Sequence, residues 1–184
     1  MIVLGLTGSI GMGKSTTTAM FADLGAVVWN ADDAVHRLYA PGGAAVLPVG
    51  EAFPGVVVDG AVDRTRLAEA LGKDETAFRR LEAIVHPCVQ QAMAQALSQS
   101  TARCVVFDVP LLVESPHWRG RVDAVVVVDC DHETQIERVM ARNGWARDAV
   151  QAVIQQQATR AQRLAAADAV VFNGAGNTLL QLER

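Results

Sequence analysis

The sequence predicts an α/β fold, a doubly wound parallel sheet of five strands flanked by helices. Three observations carry that expectation. Strand-like apolar runs alternate with helical stretches along the chain. Two of the runs, IVLGLT (Ile2 to Thr7) and DAVVVVD (Asp123 to Asp129), show no polar alternation, as expected of strands covered on both faces. Between the first run and the first helical stretch lies a glycine-rich loop, the connection such a sheet uses to present backbone N–H groups to a ligand.

Each element has a local reason. Ile2 to Thr7 ends at Gly8 and forms the first strand; Thr16 to Leu24 follows as a helix, and GAVVWN (Gly25 to Asn30) as the second strand. RCVVFDVP (Arg103 to Pro110) is the third, Asp123 to Asp129 the fourth, and DAVVF (Asp168 to Phe172) the fifth. Helical spacing recurs in DRTRLAEALG, DETAFRRLEAIV and PCVQQAMAQALSQ, the last with Pro87 at a first helical position. HETQIERVMARNG stops at Asn143-Gly144, and ARDAVQAVIQQQATRAQRLAAA is expected as one long helix. The closing GNTLLQLER reads as the opening of a last helix.

The stretch between the second and third strands is too long for a simple crossover. It is expected as a helical substrate-binding insertion at about 32–101. Residues 1–31, 102–131 and 166–184 then form the core, and about 132–165 a helical lid, all within one domain of 184 residues.

Composition narrows the function classes. Hydrophobic residues make up 51% of the chain, enough for a sizeable core, and the net charge is −4. A chain of that charge has no broad electrostatic attraction for nucleic acid or an anionic membrane, so neither is expected as a partner. An anionic substrate must meet a local basic site. Cys88, Cys104 and Cys130 are scattered, with no zinc spacing, and suit a reducing cytoplasm. The N-terminus lacks a basic signal-peptide region, and the longest apolar run is too short to span a bilayer.

Gly8-Ser9-Ile10-Gly11-Met12-Gly13-Lys14-Ser15 matches GxxxxGK[ST], with a strand before it and a helix after it. This makes the fold a P-loop NTPase type and ATP the expected nucleotide. Backbone N–H groups from Gly8, Gly11, Met12, Gly13 and Thr16 would cradle phosphate, Lys14 would reach the β- and γ-phosphates, and the Ser15 hydroxyl would ligate Mg²⁺. The motif does not name the acceptor.

Carboxylates follow two strands. Asp32 or Asp33, after the second strand, could take a proton from an attacking hydroxyl or could cap a helix; the residues alone leave the two equal. Asp108 ends an apolar strand, where it could hold Mg²⁺ directly or through water. Glu114 lies beyond it, as a cleft carboxylate or a solvated loop charge. Phosphoryl transfer also needs cations. Arg138 and Arg142 share a helix face, with Arg147, Arg160 and Arg163 on the next helical stretch; at least one is expected on phosphate. Asn173 fits an ordinary turn or an adenine contact, and His86 a helix end. Trp29 is expected in the strand core.

Taken in order, these segments resemble the dephospho-coenzyme A kinase family. LTGSIGMGKST resembles its phosphate loop, LGAVVWNADDAVHRL its strand-and-acid segment, IVHP its insertion signature, and DVPLLVE its Pro-Leu-Leu-x-Glu segment. ETQIERVMARNG and QQQATRAQRLAAADAVVFNGAG resemble its lid and adenine-side segments, so the likeness runs from Ile2 to about Leu182. It implies transfer of the ATP γ-phosphate to the ribose 3′-hydroxyl of dephospho-CoA with Mg²⁺; the chain is expected to be a cytoplasmic monomer. It implies Asp32 as the general base, with Lys14 and Arg142 as the catalytic cations and Arg142 on the triphosphate. Asn173 is implied at adenine, and His86, Leu111, Glu114 and Arg160 beside the substrate. Three departures stand out: Asn30 replaces the first acid of Asp-Ala-Asp, Met12 replaces a small loop residue, and the last helix is short.

Adenylate-kinase-like enzymes share fold and cradle but typically carry Gly-Lys-Gly-Thr where this chain has Gly-Lys-Ser-Thr. Gluconate- or shikimate-type kinases would not be expected to show HP and PLLVE in this arrangement. A GTPase-like switch protein would need Asn-Lys-x-Asp, which does not occur.

Overall fold

A computed structural model describes residues 1–72, 76–114 and 116–176. The chain divides into two compact units, Met1–Trp29 with Thr101–Arg184, and Asn30–Ser100.

The first unit is built on the expected five-stranded sheet. Its strands are β1 (Ile2–Thr7), β2 (Val27–Asn30), β5 (Cys104–Asp108), β6 (Ala124–Asp129) and β7 (Ala169–Phe172), in spatial order β2-β5-β1-β6-β7. β1 lies parallel to both β5 and β6, with Ile2 opposite Cys104, Leu6 opposite Asp108 and Thr7 opposite Val127. β6 runs parallel to β7. The phosphate loop therefore leaves the central strand, with the carboxyl ends of β5 and β6 on either side.

The valine run explains why β6 sits inside. Val125, Val127 and Val128 are fully buried and Val126 nearly so, which uses both faces of the strand. Each such side chain stabilises the fold by roughly 1.5–3 kcal/mol over its exposed state. Leu6, Met12, Val106, Val126, Val128 and Cys130 form one core cluster. Trp29, only 5% exposed, packs at 5.3 Å from Phe107 and 5.9 Å from Trp118, as expected for strand core.

Helices α1 (Lys14–Asp23), α6 (Pro116–Arg119), α7 (His132–Asn143), α8 (Arg147–Gln155) and α9 (Arg160–Ala166) complete the described part of this unit. α7 stops at Gly144, whose φ of 68° supplies the left-handed C-cap the sequence suggested. The long helix expected over Ala146–Ala167 is instead two. Thr159 caps α9 in a capping box, accepting the Gln162 N–H while the Gln162 side chain accepts the Thr159 N–H. That reciprocal pair starts a new helix where composition alone would continue the old one. The expected final helix falls largely at 177–184, outside the described residues.

The second unit holds α2 (Ala31–Tyr39), α3 (Val46–Ala52), a short antiparallel hairpin of β3 (Val57–Val58) and β4 (Ala61–Val62), α4 (Arg64–Leu71) and α5 (Ala77–Gln99). α2 and α3 pack on α5. The two helices expected around Pro87 are one 23-residue helix with Pro87 inside it. Proline deletes only its own donor, to the Ala83 carbonyl, and the buried Val85, Val89 and Met93 on either side hold the helix together.

The start of α7 yields a stability prediction. Asp131 accepts the Thr134 N–H at 2.9 Å and the Thr134 hydroxyl at 2.7 Å. The backbone hydrogen bond from Thr134, followed by the hydroxyl, holds the Asp131 carboxyl below its ordinary value. A lowered folded value means this stabilisation is complete above the unfolded carboxyl's range and is lost as pH falls through the folded one. Asp131→Asn, which keeps a capping oxygen, should remove that acid dependence at little cost at neutral pH. Asp131→Ala should lower the Tm at neutral pH. Thermal melts from pH 2 to 7 check both; an unchanged acid limb in Asp131→Asn refutes the assignment.

Candidate active site

The glycines of the loop are there because nothing larger fits. Gly11 has φ 79°, and a Cβ on it would lie 2.5 Å from Val139 Cγ2 and 2.8 Å from the Gln135 carbonyl oxygen. Gly13, at φ 94°, is the N-cap of α1, and a Cβ there would collide with the Asn173 amide nitrogen. Having no side chain, Gly13 cannot cap the helix. The first-turn N–H groups of Lys14, Ser15 and Thr16 therefore keep no intrahelical acceptor, and the helix dipole adds to their pull on an anion. Ser15 and Thr16 are exposed on that turn. The Met12 N–H, expected on phosphate, donates to the Ser9 carbonyl at 3.3 Å and closes the loop's own turn. The Met12 side chain is buried in the core, which is how the loop accommodates it.

Lys14 and Asp108 meet at the mouth of the loop. The Lys14 ammonium donates to Asp108 Oδ1, and the Thr18 hydroxyl lies 3.3 Å from Asp108 Oδ2. Asp108, 4% exposed, ends β5 directly beside the strand that feeds the loop. An ammonium for phosphate oxygens, with a carboxylate and the Ser15 hydroxyl as hard oxygen donors, is a set that fits Mg²⁺ accompanying a nucleotide.

The remaining cations and amides engage partners within the chain. Arg138, not Arg142, reaches the β7 end, donating to the Asn173 carbonyl at 2.9 Å and to its Oδ1 at 3.3 Å. Asn173 is buried, and its Nδ2 donates to the Met12 carbonyl at 3.0 Å. Its side chain thus braces the phosphate loop, with both ends of the amide in use. Arg142 is exposed near the end of α7, its Nε donating to Asn143. Arg160 grips Asp129 at the end of β6, through Nη2 at 2.6 Å and Nε at 3.0 Å. This hydrogen-bonded carboxylate pushes the Arg160 guanidinium above its ordinary value. Burial pushes Arg163 the other way. Glu114, exposed after β5, accepts the Ala158 N–H at 2.7 Å. Leu111 is half exposed just after β5.

In the second unit, Asp32 is exposed in the first turn of α2. Neither aspartate caps the helix: Asn30 does, its Oδ1 accepting the Asp33 N–H at 2.9 Å. The position of the missing first acid is therefore a capping position, which asparagine fills as well as aspartate. His86 lies half-buried within α5 rather than at a helix end.

A family profile for dephospho-CoA kinase matches residues 2–178. The chain belongs to the dephospho-CoA kinase family. A Burkholderia thailandensis relative bearing that name is 47% identical over 175 residues, 94% of this chain and 86% of the relative. A Thermus thermophilus crystal structure superposes with a TM-score of 0.85 at 34% identity, covering 100% of this chain and 93% of that one. A dephospho-CoA kinase from Campylobacter jejuni shares the fold, with a TM-score of 0.71 at 23% identity over 98% of this chain and 92% of its own.

Within this member of the dephospho-CoA kinase family, the first unit brings together the loop, Lys14, Ser15, Asp108 and Asn173. Sequence reasoning missed four partners: Asp129 under Arg160, Arg138 on Asn173, and Gln135 and Gln157 on the loop. The Asp129 signal was available, since a carboxylate ending an all-valine strand is as marked as Asp108. The glutamines carried none, because no spacing connects residues more than 120 positions apart.

Proposed function

We propose that this chain transfers the γ-phosphate of ATP to the ribose 3′-hydroxyl of dephospho-CoA, giving CoA and ADP. The observation that carries the reading is the Lys14–Asp108 pair at the mouth of the uncapped α1 loop, in a chain of this family. The 3′-oxygen forms a bond to the γ-phosphorus as the bond to the β,γ-bridging oxygen breaks. Asp32 takes the hydroxyl proton, and the bridging electrons leave with ADP. Lys14 neutralises charge on the β- and γ-oxygens, and the N–H groups of Lys14, Ser15 and Thr16 hold the phosphates in place. Arg142 supplies a second cation to the triphosphate. Mg²⁺, held by Ser15 and Asp108, would offset the charge that develops on the phosphates. His86, Leu111 and Glu114 stand on the dephospho-CoA side. Arg160 joins them while anchored to Asp129.

The same proposal places the enzyme in the cytoplasm as a monomer. The three free thiols fit a reducing compartment. Among the described residues no helix is long and apolar enough to cross a membrane.

The test is ADP release from ATP and Mg²⁺, compared for dephospho-CoA, adenosine, AMP, shikimate and no acceptor. Release dependent on dephospho-CoA, with its mass raised by one phosphate, is expected. Release with another acceptor alone would retain a kinase and discard this substrate.

A further inference from the structure

Two glutamines hold the turn of the phosphate loop at Ser9 and Ile10. Gln135, 2% exposed in α7, donates through Nε2 to Ser9 Oγ at 2.6 Å and to the Ile10 carbonyl at 2.8 Å. Gln157, in the turn between α8 and α9, accepts through Oε1 the Ser9 hydroxyl at 2.6 Å and the Ile10 N–H at 3.2 Å. The backbone of Ile10 fixes the sense of both amides. A carbonyl only accepts, so Gln135 must present its nitrogen; an N–H only donates, so Gln157 must present its oxygen. The Ser9 hydroxyl is left with one orientation, accepting from Gln135 and donating to Gln157. Ser9 is 4% exposed, so water cannot readily replace either partner.

We propose that Gln135, Ser9 and Gln157 form a directional hydrogen-bond relay that sets the shape of the phosphate loop, making both glutamines positioning residues for ATP. The relay acts on Ser9 and Ile10, the first two residues of the turn that the Met12 N–H closes onto the Ser9 carbonyl. Its far end is itself anchored. Ala158, next to Gln157, donates its N–H to Glu114, and Arg160 two residues on is held by Asp129. The starts of α7 and α9 are thereby joined through the loop. A phosphate cradle needs its N–H groups fixed before the anion arrives, because ordering them afterwards weakens binding. The inference rests on reading Gly8 to Ser15 as the ATP loop.

Glutamate substitution separates this role from packing. In Gln157→Glu the carboxylate still accepts from Ser9 and Ile10. In Gln135→Glu it faces a carbonyl and a hydroxyl oxygen with no proton to give. Both variants add one negative charge beside the same loop, so their difference isolates donor from acceptor. Calorimetric titration with MgATP at pH 8.5 is expected to show Gln135→Glu weakened roughly tenfold or more and Gln157→Glu within about threefold of the parent. As pH falls, Gln135→Glu should recover, since its protonated carboxyl regains one donor; Gln157→Glu should not. The KM for dephospho-CoA should stay nearly constant in both. Gln157→Leu, of similar size but unable to accept, should lose affinity as Gln135→Glu does. If Gln135→Glu does not fold, the Leu and Glu variants at Gln157 decide. Equal losses in the two Glu variants, or Gln157→Leu binding MgATP like the parent, overturn the proposal. A parent protein that binds MgATP but leaves dephospho-CoA unmodified would sink the substrate reading and leave this comparison intact.

Discussion

Replacing Lys14 by alanine is expected to lower kcat for dephospho-CoA phosphorylation by roughly a thousandfold or more. The ammonium sits at the mouth of the loop against the Asp108 carboxylate, where a β/γ-phosphate would compete for it. No other lysine or arginine belongs to the loop, and water cannot reproduce a fixed positive charge there. Lys14→Met, which keeps the stem and drops the charge, should fall as far, separating charge from packing. Asp108 retains the Thr18 hydroxyl within hydrogen-bond reach in both variants, so folding, followed by thermal melt, should persist. A kcat within tenfold of the parent in either folded variant would refute the phosphate role of Lys14.

Asp32→Asn is expected to cost roughly 10²–10⁴-fold in kcat while leaving MgATP affinity nearly unchanged. The asparagine keeps size and polarity but cannot take the proton of the 3′-hydroxyl. Because Asn30 already caps α2, the exchange leaves that cap intact. Asp33→Asn should be mild by comparison. Steady-state kinetics with both substrates varied, together with nucleotide titration, separates a lost base from lost binding. If Asp33→Asn is the crippling change, the base has been assigned to the wrong neighbour.

What the sequence made legible is what short-range pattern encodes. The valines of β6 and the apolar run of β1 announced a two-face-buried sheet, and Gly13-Lys14-Ser15 announced the cradle. Other local signals went unread. Val57-Val58-Asp59-Gly60-Ala61-Val62 carries a hairpin turn in Asp59-Gly60, both with positive φ. Thr159 and Gln162 carry the capping box that splits α8 from α9. Pro87 misled in the opposite direction, because a helix buried at Val85, Val89 and Met93 tolerates one missing donor. The glutamine contacts to Ser9, and Arg160 as the partner of an otherwise legible Asp129, were beyond reach for a different reason: they depend on which chain segments the sheet order brings together. Asn173 shows both limits. Its position after β7 was legible, but its hydrogen bond to the Met12 carbonyl is a tertiary fact.

The strand order also governs how this chain can be assembled. β1 is made before the other strands, yet its neighbours in the sheet are β5 and β6. Ile2 must wait about 100 residues for Cys104, roughly 5–20 s of synthesis at about 5–20 residues per second. During that interval IVLGLT has neither of its sheet partners, and the next strand of that sheet to be made, β2, pairs with β5 rather than with it. The segment that carries the phosphate loop is thus translated early and locked late. The Asn30–Ser100 unit, made in between, has its own helices and hairpin to collapse around. Nascent chains halted before Cys104 therefore expose the strand that the finished enzyme buries at its centre, which makes that window the natural point for chaperone capture or misassociation.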